Sequence, residues 1–386
     1  MSLLIHARSP RRARRGLLAA ALPAAVAAIA LGGGTAHAAT ANMDAGTLNH
    51  RGAAGENNGV TITDSTGATV RVTDTAGLRA GVGCLQISST SVDCGQVQRL
   101  DVRTGDGTDT YVARSAKPTF YDAGSGNDGY RWEGSAAGVS TRVEYKGNTG
   151  VDRADYTKAT AGVLVSKDNF GNDGRFSGAL GRTIDRDNIR DDVERLDGSR
   201  FGDSLNGRNG ATTVKEFFVG GAGNDLLAGN EGPDHFDMGP VADGADDVRG
   251  GNGLDEVDYS KRSNRITAAI DQSTADGEAG EGDDLKATEV IRGTPQGDAM
   301  NVVPSSTLPV QFFGGDGSDI LLGGAGKDLL DGGPKEDVLS AKGGNDAIRS
   351  ADGDRDFVLC GSESDSVLID LTENQVDECE TIDFVR

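Results

Sequence analysis

GGDGSDILLGGAGKDLLDGGPKEDVLSAKGGNDAIR, residues 314–349, is a nine-residue phrase repeated without a gap. One extra residue, Ser350, precedes two further copies, ADGDRDFVL and CGSESDSVL. The sixth place is always aspartate: Asp319, Asp328, Asp337, Asp346, Asp356 and Asp365. The eighth is always apolar: Leu321, Leu330, Leu339, Ile348, Val358 and Val367. GGAGNDLLA and GNEGPDHFD at 220–237 keep the frame with Asp225 and Asp234. Asp246 and Asp255 resume it after the insertion Met238-Gly239-Pro240. Weaker copies carry Asp109, Asp128, Asp152, Asp203 and Asp298.

Glycine at the first, second and fourth places lets the backbone turn through conformations that a Cβ forbids, and it exposes carbonyl oxygens. The aspartate adds a carboxylate. Carbonyl and carboxylate oxygens are the donors a hard cation such as Ca²⁺ takes. The eighth residue heads a short strand and faces inward, and so short a strand hides its apolar side only by stacking on other copies. The 58 glycines alone would suit a disordered tract. A solvated tract, however, has no reason to keep one apolar place in nine.

The pattern resembles the RTX-type (hemolysin-type) calcium-binding repeat, GGxGxDxUx with U a large apolar residue. The resemblance is strong over 220–258 and 314–368 and weak elsewhere. It implies an all-β fold, a right-handed parallel β-roll or β-helix solenoid, with Ca²⁺ between motif n and motif n+2. The metal would be held by backbone carbonyls and two aspartates. Carried onto this chain, Asp319 pairs with Asp337 and Asp328 with Asp346, and Asp337 with Asp356 and Asp346 with Asp365 are further pairs that Ser350 stands to disturb. Asp225, Asp234, Asp246 and Asp255 form the earlier set. Gly221, Gly223, Gly315, Gly317, Gly324 and Gly326 are the turn glycines of the same sites. Lys335 and Gln296 replace the fourth-place glycine and weaken their sites.

Residues 1–38 read as a signal peptide. Arg8, Arg11, Arg12, Arg14 and Arg15 precede an apolar stretch from Leu17 to Leu31, and Ala36-His37-Ala38 matches a small-residue cleavage site. The stretch contains Pro23 and falls short of the roughly 20 residues of a membrane span. A secreted, extracellular protein is expected, exported unfolded by the general route in preference to the twin-arginine route. The net charge of −22 argues against nucleic acid and anionic membrane as partners. Calcium ions, and cell-wall or extracellular glycans, are the partners the composition leaves open. Four cysteines fit an oxidising compartment. Local pairing, Cys84 with Cys94 and Cys360 with Cys379, is expected among the connectivities open to them.

Residues 39–103 differ from the rest. Val60–Thr63 and Val70–Thr73 alternate across a polar loop as a hairpin, and the Cys84–Cys94 segment reads as a second. Together they form a small N-terminal β cap over an open sheet end. Residues 104–219 hold degenerate repeats and a first long excursion, 220–313 a repeat block and a second excursion, 314–368 the contiguous repeats, and 369–386 a C-terminal cap. The excursions are duplicates: GNTGVDRADYT at 147–157 matches GGNGLDEVDYS at 250–260. Tyr156 and Tyr259 are each followed by an Asp-Gly, at Asp173 and Asp276. These two aspartates are expected to be solvated turn residues on loops thrown outward.

Catalytic signatures are missing. There is no HExxH and no GxSxG. Beyond the leader only His50 and His235 occur, and His235 stands at an outward seventh place. Trp132 reads as core or cap packing. A non-catalytic protein is expected. The enzymatic alternative is a calcium-dependent β-helix lyase or epimerase acting on acidic polysaccharide, with Arg186, Arg190 and Arg195 as candidate bases. A third reading is a calcium-dependent adhesin for glycans.

Overall fold

Each repeat delivers one short strand whose central residue points inward. Ile320–Leu322, Leu329–Asp331, Val338–Ser340, Ala347–Arg349 and Phe357–Leu359 bury Leu321, Leu330, Leu339, Ile348 and Val358 to 2% exposure or less. The flanking residues of these strands stay exposed or half-buried, as alternation along a strand requires. Each buried Leu, Ile or Val contributes about 1.5–3 kcal/mol.

Successive strands go to different sheets. Ile320–Leu322 pairs in parallel with Val338–Ser340, which pairs with Phe357–Leu359. Leu329–Asp331 pairs in parallel with Ala347–Arg349, which pairs with Ser366–Ile369. Leu330, Ile348 and Val367 therefore stack in one column, and Leu321, Leu339 and Val358 in another. The nine-residue period is the length of one strand plus one turn, and an alternating assignment makes motif n the neighbour of motif n+2.

The computed structural model describes residues 38–65, 69–134, 140–177, 182–210, 213–272, 276–371 and 375–384. The expected leader, residues 1–37, lies outside them. Among the described residues the protein is all-β, without a helix and with mostly parallel strands in long sheets. No helix among the described residues is long and apolar enough to cross a membrane.

One ladder runs the length of the chain. It begins with the antiparallel strands Cys84–Ser88, Ser91–Cys94, Val70–Asp74 and Gly59–Asp64. It turns parallel at Thr110–Arg114 and continues, coil by coil, to Thr381–Phe384. No pairing among the described residues joins its ends, so it is an open ribbon. The opposite side is divided into three sheets, and the breaks fall at the two excursions. There the chain makes antiparallel hairpins, Val163–Ser166 against Gly174–Ser177 and Ile266–Ile270 against Gly277–Glu278. Both expected N-terminal hairpins form, and both local disulfides form, Cys84–Cys94 and Cys360–Cys379.

The core changes character along the ladder. Towards the N-terminus it is a stack of tyrosines: Tyr121 lies on Tyr145 at 5.1 Å and Tyr111 on Tyr121 at 5.3 Å. Trp132 is buried beside them with the Arg175 guanidinium 4.5 Å from its ring, as core packing requires. Towards the C-terminus the core is aliphatic.

Candidate metal centre

The motif aspartates form two columns, one along each side of the repeat stack. Each sits where a turn enters a strand, and in most of them one oxygen accepts the backbone N–H of the aspartate one coil earlier. Asp319 donates to Asp337 at 2.8 Å, Asp328 to Asp346 at 2.8 Å, Asp337 to Asp356 at 2.9 Å and Asp346 to Asp365 at 2.8 Å. Asp225 donates to Asp246 and Asp234 to Asp255, both at 2.9 Å. Every expected n, n+2 pair is thus brought together. Ser350 does not disturb the pairs across it, and Met238-Gly239-Pro240 does not break the earlier ones, because inserted residues bulge in the turns while the strands keep register.

The second carboxylate oxygen is what sets these columns apart. It is buried and without a hydrogen-bond partner in Asp225, Asp255, Asp319, Asp337, Asp346 and Asp365, and in the weaker copies at Asp109, Asp128 and Asp152. In Asp234 neither oxygen has one, whereas in Asp328 both are bonded, to the Val310 and Gly324 N–H groups. A buried charge left this way costs several kcal/mol unless it takes a proton or a cation. Burial raises these carboxyls first, and neighbouring carboxylates add to it: Asp225, Asp234 and Asp337 reach about 8, and Asp319 and Asp346 about 7. Asp246 and Asp255 reach about 6, while Asp328 and Asp365 are raised, again first by burial. Unpaired buried oxygens spaced one coil apart, beside turn carbonyls, are the donor set of a hard divalent cation.

The turn glycines serve this geometry in two ways. Gly221, Gly223, Gly315 and Gly317 are left-handed, with φ of 95°, 130°, 110° and 123°. Gly324 and Gly326 are not among the left-handed residues. There the constraint is space, since a Cβ would press on the carbonyls of Ser306 and Leu308. The first-place glycine, as at Gly314 and Gly323, lets the carboxylate of its own motif fold over it, a steric role the conformational argument had missed. Lys335 holds the fourth-place turn with φ of 101°, so the substitution leaves the left-handed conformation intact.

One further candidate ligand, Asp352, was invisible in the repeat frame. The carboxylates of Asp337, Asp352 and Asp356 place an oxygen each within 4.8 Å of one another. Asp352 occupies the second place of ADGDRDFVL, where the better copies have glycine. That departure was the available signal.

The expected solvated aspartates of the excursions are a correction. Asp173 and Asp276 are 0% and 1% exposed. Asp173 accepts the N–H groups of Ser166 and Ile189 at 2.8 and 2.7 Å, and Asp276 those of Ala269 and Leu285 at 2.6 and 3.1 Å. They staple each hairpin to the next coil. The duplication extends to Tyr156, whose hydroxyl donates to Asp187, and Tyr259, which donates to Asp283. The acids turn inward because the hairpin leaves backbone donors that only a short carboxylate reaches.

The excursions also carry their own cations. Lys167, fully buried, donates to Glu216 at 2.5 Å, and Arg208 N–H holds the other oxygen of Glu216 at 2.8 Å. Arg175 grips Asp185 at 2.8 and 2.9 Å, and the buried Arg262 grips Glu281 at 2.8 and 3.0 Å. The arginines weighed as catalytic bases do not converge: Arg190 pairs with Glu144 and Arg195 with Asp197. His235 is only partly exposed and faces Glu256 at 3.2 Å, while His50 is buried against Asp74 at 2.8 Å.

The family model of the RTX calcium-binding nonapeptide repeat matches residues 215–239 and 313–348, in four copies. Those segments are RTX-type calcium-binding repeats, and RTX nonapeptide repeats bind calcium ions. No curated protein matches the chain.

Proposed function

We propose that the chain is an exported, non-catalytic protein whose repeats close into a right-handed parallel β-roll on extracellular calcium, and that it serves as a structural element at the cell surface or in the surrounding matrix. The N-terminal hairpins and the C-terminal segment cap the ends of the roll. The carrying observation is the pair of columns of buried carboxylates with one oxygen unpaired. Calcium is held between Asp319 and Asp337, between Asp328 and Asp346, and at the equivalent pairs around Asp225, Asp234, Asp246, Asp255, Asp356 and Asp365. Binding ligands from separate coils makes metal-binding free energy into folding free energy. Export fits the basic-apolar leader and the two disulfides.

Affinity in the range of extracellular modules, roughly 0.1–1 mM per site, would keep the chain open inside the cell and close it outside. Circular dichroism should show β signal rising with calcium and falling with chelator. An unchanged spectrum and melting temperature in excess EDTA would sink the reading.

A further inference from the structure

One face of this acidic molecule has the opposite sign. Thr47–Arg51, Arg99–Asp106, Thr119–Ser125 and Val143–Thr149 lie side by side in parallel, with Leu100 level with Thr119 and Thr119 level with Val143. Leu100, Thr119 and Val143 are buried, so the alternate positions Arg99, Phe120 and Arg142 stand on the solvent side. Arg186 N–H bonds to Thr141 O and extends the row by one step. A groove of about 490 Å³ runs between Arg99, Arg142 and Arg186, floored by Phe120 and Pro118. A smaller hollow of about 280 Å³ continues past Arg99 and Phe120 to Thr47.

The acids of this face are already engaged. Asp101 accepts Arg51 and Arg103, Glu144 accepts Arg190, and Asp122 accepts the Asn148 amide. Arg99, Arg142 and Arg186 are exposed and have no ion pair among the described residues. Other exposed arginines on strands, such as Arg71 with Asp93 and Arg249 with Asp247, meet a carboxylate, although Arg79 on Leu78–Ala80 has no ion pair among the described residues. Three guanidiniums in a row, lacking that partner, form a site for an anion supplied from outside.

We propose that this groove binds a polysaccharide bearing carboxylate groups. This deepens the surface-association reading and rests on it. A guanidinium presents a planar fork that matches a carboxylate bidentately. Phe120 and Pro118 offer apolar surface to the C–H face of a sugar ring. The charge of the whole chain, −22, opposes a dense phosphate polymer such as duplex DNA, which carries a charge every ~1.7 Å. A chain with at most one charge on each sugar engages the row locally, and at physiological salt the distant acids are screened beyond ~8 Å.

The test is binding of the calcium-loaded full chain to polygalacturonate, with dextran, dextran sulfate and single-stranded DNA alongside. Polygalacturonate is expected to bind best and dextran not at all. The triple variant Arg99→Ala, Arg142→Ala, Arg186→Ala should bind polygalacturonate at least roughly tenfold more weakly, the size of one or two lost charge-assisted bonds. Removing Arg71 and Arg249 instead should leave binding unchanged. No binding by the wild type, equal binding by the triple variant, or tighter binding to DNA or dextran sulfate would overturn the proposal. Circular dichroism with and without EDTA reads the calcium response of the same samples, so the groove and the calcium-driven fold fail separately. A triple variant that has lost its calcium response is replaced by Arg→Gln at the same positions, and unaltered affinity there also overturns the site.

Discussion

The contiguous repeats at 314–368 and the first excursion at 157–203 bury acids at similar depth but answer them differently. In the excursion the protein supplies the partner: Arg175 for Asp185, and two tyrosines, a threonine and a backbone amide for Asp187. At its boundary with the next repeats, Lys167 occupies the place a cation would take beside Glu216. In the repeats Asp319, Asp337, Asp346 and Asp365 each keep an unpaired oxygen. The difference teaches that burial of acid is not by itself a calcium site. The excursions are neutralised from within and the repeats are not.

Chelation should give the largest effect. With calcium at ten to one hundred times its Kd, each site adds about 1.4–2.7 kcal/mol, and several sites act on one block. In EDTA, amide exchange should accelerate through 314–368 by orders of magnitude while the excursion strands Val163–Ser166 and Gly174–Ser177 stay protected. Uniform loss of protection would erase the distinction between the regions.

Lys167→Met should come next. Removing one partner of a buried ion pair costs about 3–5 kcal/mol. Because Glu216 would be left with the Arg208 guanidinium at 3.9 Å and Asp234 would lose the nearby ammonium, the loss should shrink when calcium is raised. A loss independent of calcium would mean that Lys167 only packs.

Leu330→Asp should cost several kcal/mol in a calcium-saturated melt, since Leu330 is fully buried, whereas the half-buried Leu329→Asp should be mild. A reversed order would contradict the strand phase.

The pH response tests the carboxylates of the repeats without mutation. Asp225 and Asp337, at about 8, and Asp319, at about 7, are raised above the unfolded value of about 3.9. A raised folded value means that the calcium-free fold binds extra protons. Their contribution is therefore complete below pH ~4 and is lost as pH rises through 7–8. The calcium-free melting temperature should fall between pH 5 and 8, and calcium affinity should rise over the same window. Flat profiles would show that these carboxyls are already paired.

The smallest contrast is Asp328→Ala against Asp173→Ala. Each should cost about 1–3 kcal/mol. Asp173 caps two amides, so its loss should lower the melting temperature with or without calcium. Loss of Asp328 should reduce bound calcium in titration calorimetry. Equal calorimetric losses would make the excursions metal sites too.

The sequence by itself determined the repeat and the strand phase. These follow from a period short enough to read directly: one apolar place and one aspartate in nine leave a single register that buries the first and stacks the second. Tertiary structure alone decided the fate of Asp173 and Asp276, the entry of Asp352 into the Asp337 and Asp356 cluster, and the buried cations at Lys167 and Arg262. It also decided that Arg99, Arg142 and Arg186 share a groove. Each depends on residues far apart in the chain meeting across neighbouring coils, where the amide or carboxylate that is left over, rather than the local pattern, sets the partner.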